Sequence, residues 1–409
     1  MIVANNTYLC CSLLRFEASY MIIQRKIISA INFLVDKYPI IAVTGPRQSG
    51  KTTLLKYMFP EYRYVSLENP DYRSFATSDP NGFLKEYSEN VIFDEVQRVP
   101  SLFSYLQTIV DESKLMGQFI LSGSQNFHLV QSITQSLAGR VALFKLLPFD
   151  FQELNSAGLL QENYIDNLVK GFYPAIFDRE IPSRIFYSNY VQTYIQRDVS
   201  ELIAIKDMRL FQNFLALCAT RAGQLLNLSA LANVSGISQP TAKSWLSALE
   251  SSYIVFLLPP YFENYSKRVV KTPKLYFYDT GLLCYLLKLD TPEQVQLTDF
   301  KGSLFENMMI AEYVKSMHHS NQLNDIWFWR DAAGNEVDLI IQNGPKHEAV
   351  EFKATQTIMP NLFKGLNFYE TISNKTSLHK YLVYGGDERQ ERTAATVLPW
   401  KSFSNTGND

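Results

Sequence analysis

Gly45-Pro46-Arg47-Gln48-Ser49-Gly50-Lys51-Thr52 decides the fold. The octet fits G-x-x-x-x-G-K-[ST] without a gap, and each residue type answers a chemical need. Glycines let the chain turn tightly and aim backbone N–H groups at phosphate oxygens. The helix that opens near Lys51 adds the positive end of its dipole. Lys51 would reach the β and γ phosphates, and the Thr52 hydroxyl would ligate Mg²⁺. Roughly one chain in a hundred of this length would carry the octet by chance, given average residue usage. Its surroundings are those the motif requires. Pro39–Thr44 is a short apolar run suited to a buried parallel strand, and Thr52–Met58 resumes helical spacing. The octet, with Thr53 behind it, therefore reads as a cradle for a nucleoside triphosphate.

Downstream, Val91-Ile-Phe-Asp94-Glu95 is an apolar strand ending in two acids. In an open α/β sheet that places both carboxylates at the ligand-binding edge. Asp94 would hold Mg²⁺ through water, and Glu95 would take the proton of an attacking water. A next apolar strand, Phe119-Ile-Leu, runs into Ser122-Gly-Ser124-Gln125. Ser124 and Gln125 are candidates to sense the γ-phosphate. Arg140, with Arg197 as its rival, is the candidate to stabilise transition-state charge, in its own subunit or a neighbour's.

Between these motifs strands alternate with helical stretches: Ile22–Lys37, Tyr62–Leu67 and Ser101–Ser113 complete the pattern. The fold class is α/β, with a parallel sheet covered on both faces. With 46% hydrophobic and 19% charged residues, the composition of this 409-residue chain excludes wholesale disorder. The net charge of −2 excludes a polycation, so any contact with nucleic acid needs a local patch. The four cysteines are too few for a disulfide scaffold and fit a cytoplasmic protein. Apolar runs such as Tyr253–Phe262, broken by Pro259 and Pro260, fall far short of the ~20 residues a membrane helix needs. The opening residues lack the basic start and cleavage site of a signal peptide, so 1–20 read as a loose leader.

Past Phe149 the strand signals fade. Residues 228–250 look like a helix-turn-helix, with Gly236 in the turn, Ser238 as cap and Pro240 in the next first turn. Ala230, Leu231, Val234, Ile237, Ala242, Trp245, Leu246 and Leu249 would form its core. Tyr253–Leu258 and Lys274–Tyr278 would be the strands of a wing, with Lys267, Arg268, Lys271 and Lys274 making a basic hairpin. DNA is the partner this arrangement suggests, with Gln239, Thr241, Lys243 and Ser244 on the presented helix. A protein-contact module is the plainer alternative.

In the last third, Asp338 ends the start of Glu336-Val-Asp-Leu-Ile-Ile, and Glu351-Phe-Lys353 lies on the following apparent strand. This resembles the PD-(D/E)xK nuclease core. Asp338 and Glu351 would share a second Mg²⁺ or Mn²⁺, Lys353 would point to the same strand face as Glu351, and Glu306 would add a carboxylate. Val337 stands where the pattern has proline. A catalytically idle fold of this kind is the plainer reading. His318-His319 read as solvated, and Trp327 and Trp329 as packing.

GPRQSGKT, VIFDEVQRVP, ILSGSQNF, SLAGRV, YIQRDV and the GNEVDLII…VEFKA block together resemble the AAA+ ATPases. More narrowly, they resemble a prokaryotic family with an amino-terminal AAA domain and a carboxyl-terminal domain of unknown function. The resemblance implies ATP binding and hydrolysis with Mg²⁺, and a ring or other oligomer. A standard sensor arginine of the AAA lid is not evident. The expected organisation is an AAA+ domain over 21–155, a helical lid over 156–225, a winged-helix-like unit over 226–295, a restriction-endonuclease-like α/β domain over 296–400 and a polar tail over 401–409. Two rivals to plain ATPase function stand beside it: an ATP-gated DNA-binding regulator with slow turnover, and an ATP-licensed DNA nuclease.

Overall fold

The computed structural model describes residues 23–124, 136–195, 205, 207–261, 271–373 and 377–403. Around the phosphate loop lie five parallel strands: β1 (Ile40–Thr44), β2 (Arg63–Ser66), β3 (Val91–Asp94), β4 (Phe119–Gly123) and β5 (Val141–Lys145), in the order β2-β3-β4-β1-β5. The side chains of β1, β3 and β4 are all buried. Strand alternation divides them between two cores. Ile40, Ala42, Val91, Phe93, Phe119 and Leu121 pack with the helices Pro80–Glu86 and Leu102–Ser113. Ile41, Val43, Ile92 and Ile120 pack with Ile27 and Ile31 of the first helix and Leu54 and Leu55 behind the loop. The unbroken apolar runs of the sequence thus have a double cover to face. The sequence pattern does not mark β5, an edge strand whose burial alternates.

Beyond β5 short helices follow one another to a π-turn at Val191–Ile195. Three helices come next: Met208–Ala219, Leu228–Ser235 and Gln239–Ser251. Gly236 takes the left-handed conformation that ends the second (φ 70°), and Ser238 accepts a hydrogen bond from the Thr241 N–H to start the third. An antiparallel hairpin, β6 (Val255–Leu258) and β7 (Lys274–Phe277), completes the unit. Leu231, Ala242, Trp245, Leu246 and Leu249 are buried as the pattern requires. Ala230 and Val234 are not. They share the outward face of their helix, and Val234 is 68% exposed. Lys267 and Arg268 lie outside the described residues.

The carboxyl-terminal sheet holds β8 (Asp325–Arg330), β9 (Glu336–Asn343), β10 (Lys346–Lys353), β11 (Leu378–Tyr384), β12 (Gln390–Glu391) and β13 (Thr396–Pro399), in the order β12-β13-β11-β10-β9-β8. β8, β9 and β10 form an antiparallel meander, and β10, β11 and β13 run parallel. A long helix, Lys301–His319, precedes the sheet, and Lys364–Ile372 crosses between β10 and β11. One apolar core runs from Phe149 to Phe403, through the short helices, the three-helix unit and the long helix. Phe403 lies inside this core against Tyr313 and Phe352, so the polar tail begins later than 401. Among the described residues, no helix is long and apolar enough to cross a membrane.

Candidate active site at the phosphate loop

The loop bends where its glycines allow. Gly45 has φ 150°, and a Cβ there would stand 2.0 Å from the Leu146 carbonyl oxygen. Gly50, at φ 92°, opens the helix Lys51–Met58, whose first turn carries no side-chain cap. Its leading N–H groups are thus left for a ligand. Gln48 also has positive φ, at 62°. The Lys51 ammonium spans the loop and donates to the carbonyls of Gly45 (2.9 Å) and Pro46 (2.8 Å). Burial lowers its pKa, while Glu95 and Asp94 pull the other way. A phosphate oxygen is a stronger partner for an ammonium than two neutral carbonyls.

Among the described residues, the Asp94 carboxylate accepts four hydrogen bonds. Thr52 Oγ1 (2.9 Å) and the Tyr64 hydroxyl (2.6 Å) donate to Oδ2. The Ser122 hydroxyl and the Glu95 N–H (3.1 Å) donate to Oδ1. Burial, then Asp94 itself, raises the Tyr64 pKa, which keeps the phenol a donor. Glu95 turns out of β3 in the left-handed conformation (φ 54°, ψ 43°). That is a costly geometry for a side-chain-bearing residue, of order 1–3 kcal/mol. Its Oε2 is held by the Gln97 amide and by Ser124, through Oγ (3.0 Å) and N–H (3.4 Å). Ser124 thus meets the loop chemistry by way of Glu95. Gln125 and Arg197 lie outside the described residues.

Arg140 does not belong with these groups. Its carbonyl accepts from the Ile40 N–H (3.2 Å), so it lies at the start of β5, beside the start of β1. The loop leaves the far end of β1, roughly 17 Å away at 3.3 Å per residue. The guanidinium pairs with Asp111 at 2.6 Å. Arg140 therefore does not reach the loop of its own chain. Arg47 pairs with Glu68 at 3.2 Å.

Arg25, which no motif marks, braces the loop from behind. It donates to the carbonyls of Ser49 (2.8 Å) and Leu147 (2.7 Å) and pairs with Glu153 at 3.0 Å. Beside it, a cavity of about 530 Å³ opens next to Gly50 and Thr53, walled by Ile23, Ile28, Leu54 and Phe149. Its size and apolar walls suit a nucleobase and sugar.

His319 is buried and His318 half-buried beside it. His319 Nδ1 meets Asp150 Oδ2 at 2.9 Å, and its Nε2 accepts from the Leu147 N–H at 3.2 Å. Burial, with Lys145 and His319 as neighbours, pushes the His318 pKa down to about 3. The end of the long helix is thus sealed onto the AAA-like sheet.

A second cluster lies at the other half of that helix. Glu306, Glu336 and Asp338 bring carboxylate oxygens within 4.8 Å of one another. Lys353 reaches Glu351 at 2.6 Å and Asp338 at 3.6 Å, as strand alternation requires. Burial raises Glu306, and burial with Asp338 raises Glu351 further. At Asp338 burial acts in the same sense, but Lys353 and Lys274 outweigh it and hold the carboxyl low. Lys274 departs from the basic-hairpin expectation. It is 1% exposed and pairs with Glu306 (2.8 Å) and Glu336. Neither Lys274 nor Glu336 stands out in the sequence as part of this site.

Residues 37–155 match the family model of an AAA domain. Residues 161–293 and 301–403 match two models of domains of unknown function. Over 398 residues the chain is 28% identical to an uncharacterized protein of Mycobacterium tuberculosis, covering 95% of this chain and 87% of the relative; an uncharacterized Mycobacterium bovis protein matches equally. Among solved structures, the Walker-type ATPase paby2304 of Pyrococcus abyssi aligns at TM-score 0.44 and 14% identity, over 65% of this chain and 96% of that one. AMPPCP-bound DnaA from Aquifex aeolicus aligns at TM-score 0.29 and 16% identity, over 55% and 86%. The phosphate-loop unit thus falls within the stretch that matches an AAA domain.

Proposed function

We propose that the protein binds ATP with Mg²⁺ in the 45–52 loop and hydrolyses it. One observation carries this reading: Lys51, Thr52, Asp94 and Glu95 meet at the carboxyl edge of one parallel sheet, with Thr52 Oγ1 2.9 Å from Asp94. A hydroxyl beside a carboxylate is a hard-oxygen donor set of the kind Mg²⁺ takes. When bound, that ion would neutralise phosphate charge. Lys51 would exchange its carbonyl partners for phosphate oxygens. Glu95, steadied by Gln97 and Ser124, would accept the proton of the attacking water. The cavity walled by Ile23 and Phe149 would take the base. Turnover of Mg²⁺-ATP by wild type and Lys51→Ala tests the assignment: equal rates would refute it.

The proposal extends to DNA as partner of the middle unit. The support is that Gln239, Lys243 and Ser244 are exposed on the helix after the Gly236 turn, in front of an antiparallel hairpin. ATP turnover with and without duplex DNA tests it. For 296–400 we favour a restriction-endonuclease-like fold, supported by the approach of Lys353 to Glu351 and Asp338. Equal nicking of supercoiled DNA by wild type and Asp338→Ala would remove cleavage from that reading.

A further inference from the structure

The carboxyl-terminal acids have an occupant drawn from another unit. Among the described residues, three cations serve four carboxylates there. Arg330 pairs with Glu336 at 2.6 Å, and Lys353 with Glu351 at 2.6 Å. Both come from the same sheet as their partners. The third, Lys274, belongs to β7, the hairpin strand before the long helix. Its ammonium sits between Glu306 and Glu336, and Asp338 acts on it through space.

Its position is built, not incidental. Alternation along β7 puts Lys274 and Tyr276 on one face. The Tyr276 hydroxyl donates to the same Glu306 oxygen at 2.6 Å. One residue further, Asn307 clasps the Phe277 backbone in both directions: the Phe277 N–H donates to Oδ1 (2.8 Å), and Nδ2 donates to the Phe277 carbonyl (2.9 Å). The clasp fixes β7 in register against the long helix, and Lys274 with it. Acids this close, buried at Asp338 and half-buried at Glu306 and Glu336, need a counter-charge or a proton. The protein supplies the charge from its own hairpin.

We propose that Lys274 is a tethered counter-ion that keeps divalent cations out of the Glu306–Glu336–Asp338 cluster, so that this cluster takes a metal ion only when β7 shifts off the long helix. A divalent ion and an ammonium would claim the same carboxylate oxygens, and both cannot be seated. The hairpin strand thereby becomes a latch on the carboxyl-terminal unit. This inference rests on the geometry of the acids and does not depend on ATP turnover or on DNA cleavage.

The test uses full-length, nucleotide-free protein and Mn²⁺ as the probe, with free ion read by electron paramagnetic resonance. Wild type is expected to bind no more Mn²⁺ than Asp338→Asn. Lys274→Met, which keeps the stem and removes the charge, is expected to gain one ion per chain with at least tenfold higher affinity. Lys274→Met/Asp338→Asn is expected to lose it again. A Lys274→Met protein that gains no ion, or whose added ion survives Asp338→Asn, overturns the proposal. Should Lys274→Met fail to fold, wild type decides: an ion held there and lost in Asp338→Asn overturns it equally.

Discussion

Lys51 and Lys274 are both buried ammonium groups beside acids, and they are held in opposite ways. Lys51 rests on two neutral carbonyls, with Asp94 and Glu95 close but bonded to other donors. Lys274 is gripped by the carboxylates themselves. Burial lowers the pKa of the first, whereas Glu306, Asp338 and Glu336 outweigh burial and raise that of the second. A lysine on neutral partners can change them when an anion arrives. One seated among carboxylates is already neutralised and serves the fold. Burial alone does not tell a ligand-binding lysine from a structural one; the charge of its partners does.

The comparison breaks most readily at Lys274. Lys274→Ala leaves the half-buried Glu306 without its ammonium, while Glu336 keeps Arg330, and should cost about 3–5 kcal/mol in denaturant unfolding while leaving ATP turnover unchanged. Adding Glu306→Gln should recover part of that loss, and a strictly additive double variant would mean that the pair is not coupled. Next in size is Glu95→Gln. It should lower ATP turnover by about 10²–10³-fold, the scale of a lost catalytic group, and leave ATP binding intact.

His318 sharpens the contrast through pH. Its pKa is about 3 in the folded chain against 6.5 ordinarily. Between those values the unfolded chain binds the extra proton, so stability is full above pH 6.5 and falls as pH drops toward 3. His318→Gln should flatten the unfolding free energy by about 1–2 kcal/mol between pH 7 and pH 5. Equal pH slopes for the two proteins would deny the neutral imidazole. The smallest effect is expected at Tyr64→Phe. Losing one of the four donors to Asp94 should raise the Mg²⁺ concentration needed for half-maximal turnover, a change of about 1 kcal/mol.

The phosphate loop was legible because its working atoms lie on one contiguous stretch, between an apolar strand and a helix. Asp94 and Glu95 were legible because β3 announces its own end. The groups that steady them were not. Arg25 reaches Ser49 and Leu147 from a helix with no motif, and Tyr64 meets Asp94 only because β2 pairs with β3. Lys274 was misread for a physical reason. Beside Lys267, Arg268 and Lys271 it looks like one more solvated charge, yet all four side chains of β7 are buried. His318 and His319 misled in the same way, since a polar pair ending a helix normally faces water. Arg140 is excluded from the loop of its own chain by direction: a strand carries its first and last residues to opposite edges of the sheet.

The most direct test of the central claim is equilibrium binding of a fluorescent ATP analogue with Mg²⁺ to wild type, Lys51→Ala and Lys274→Met. Saturable binding is expected for wild type and Lys274→Met, and its loss in Lys51→Ala. Equal binding by wild type and Lys51→Ala, or none by wild type, would contradict it.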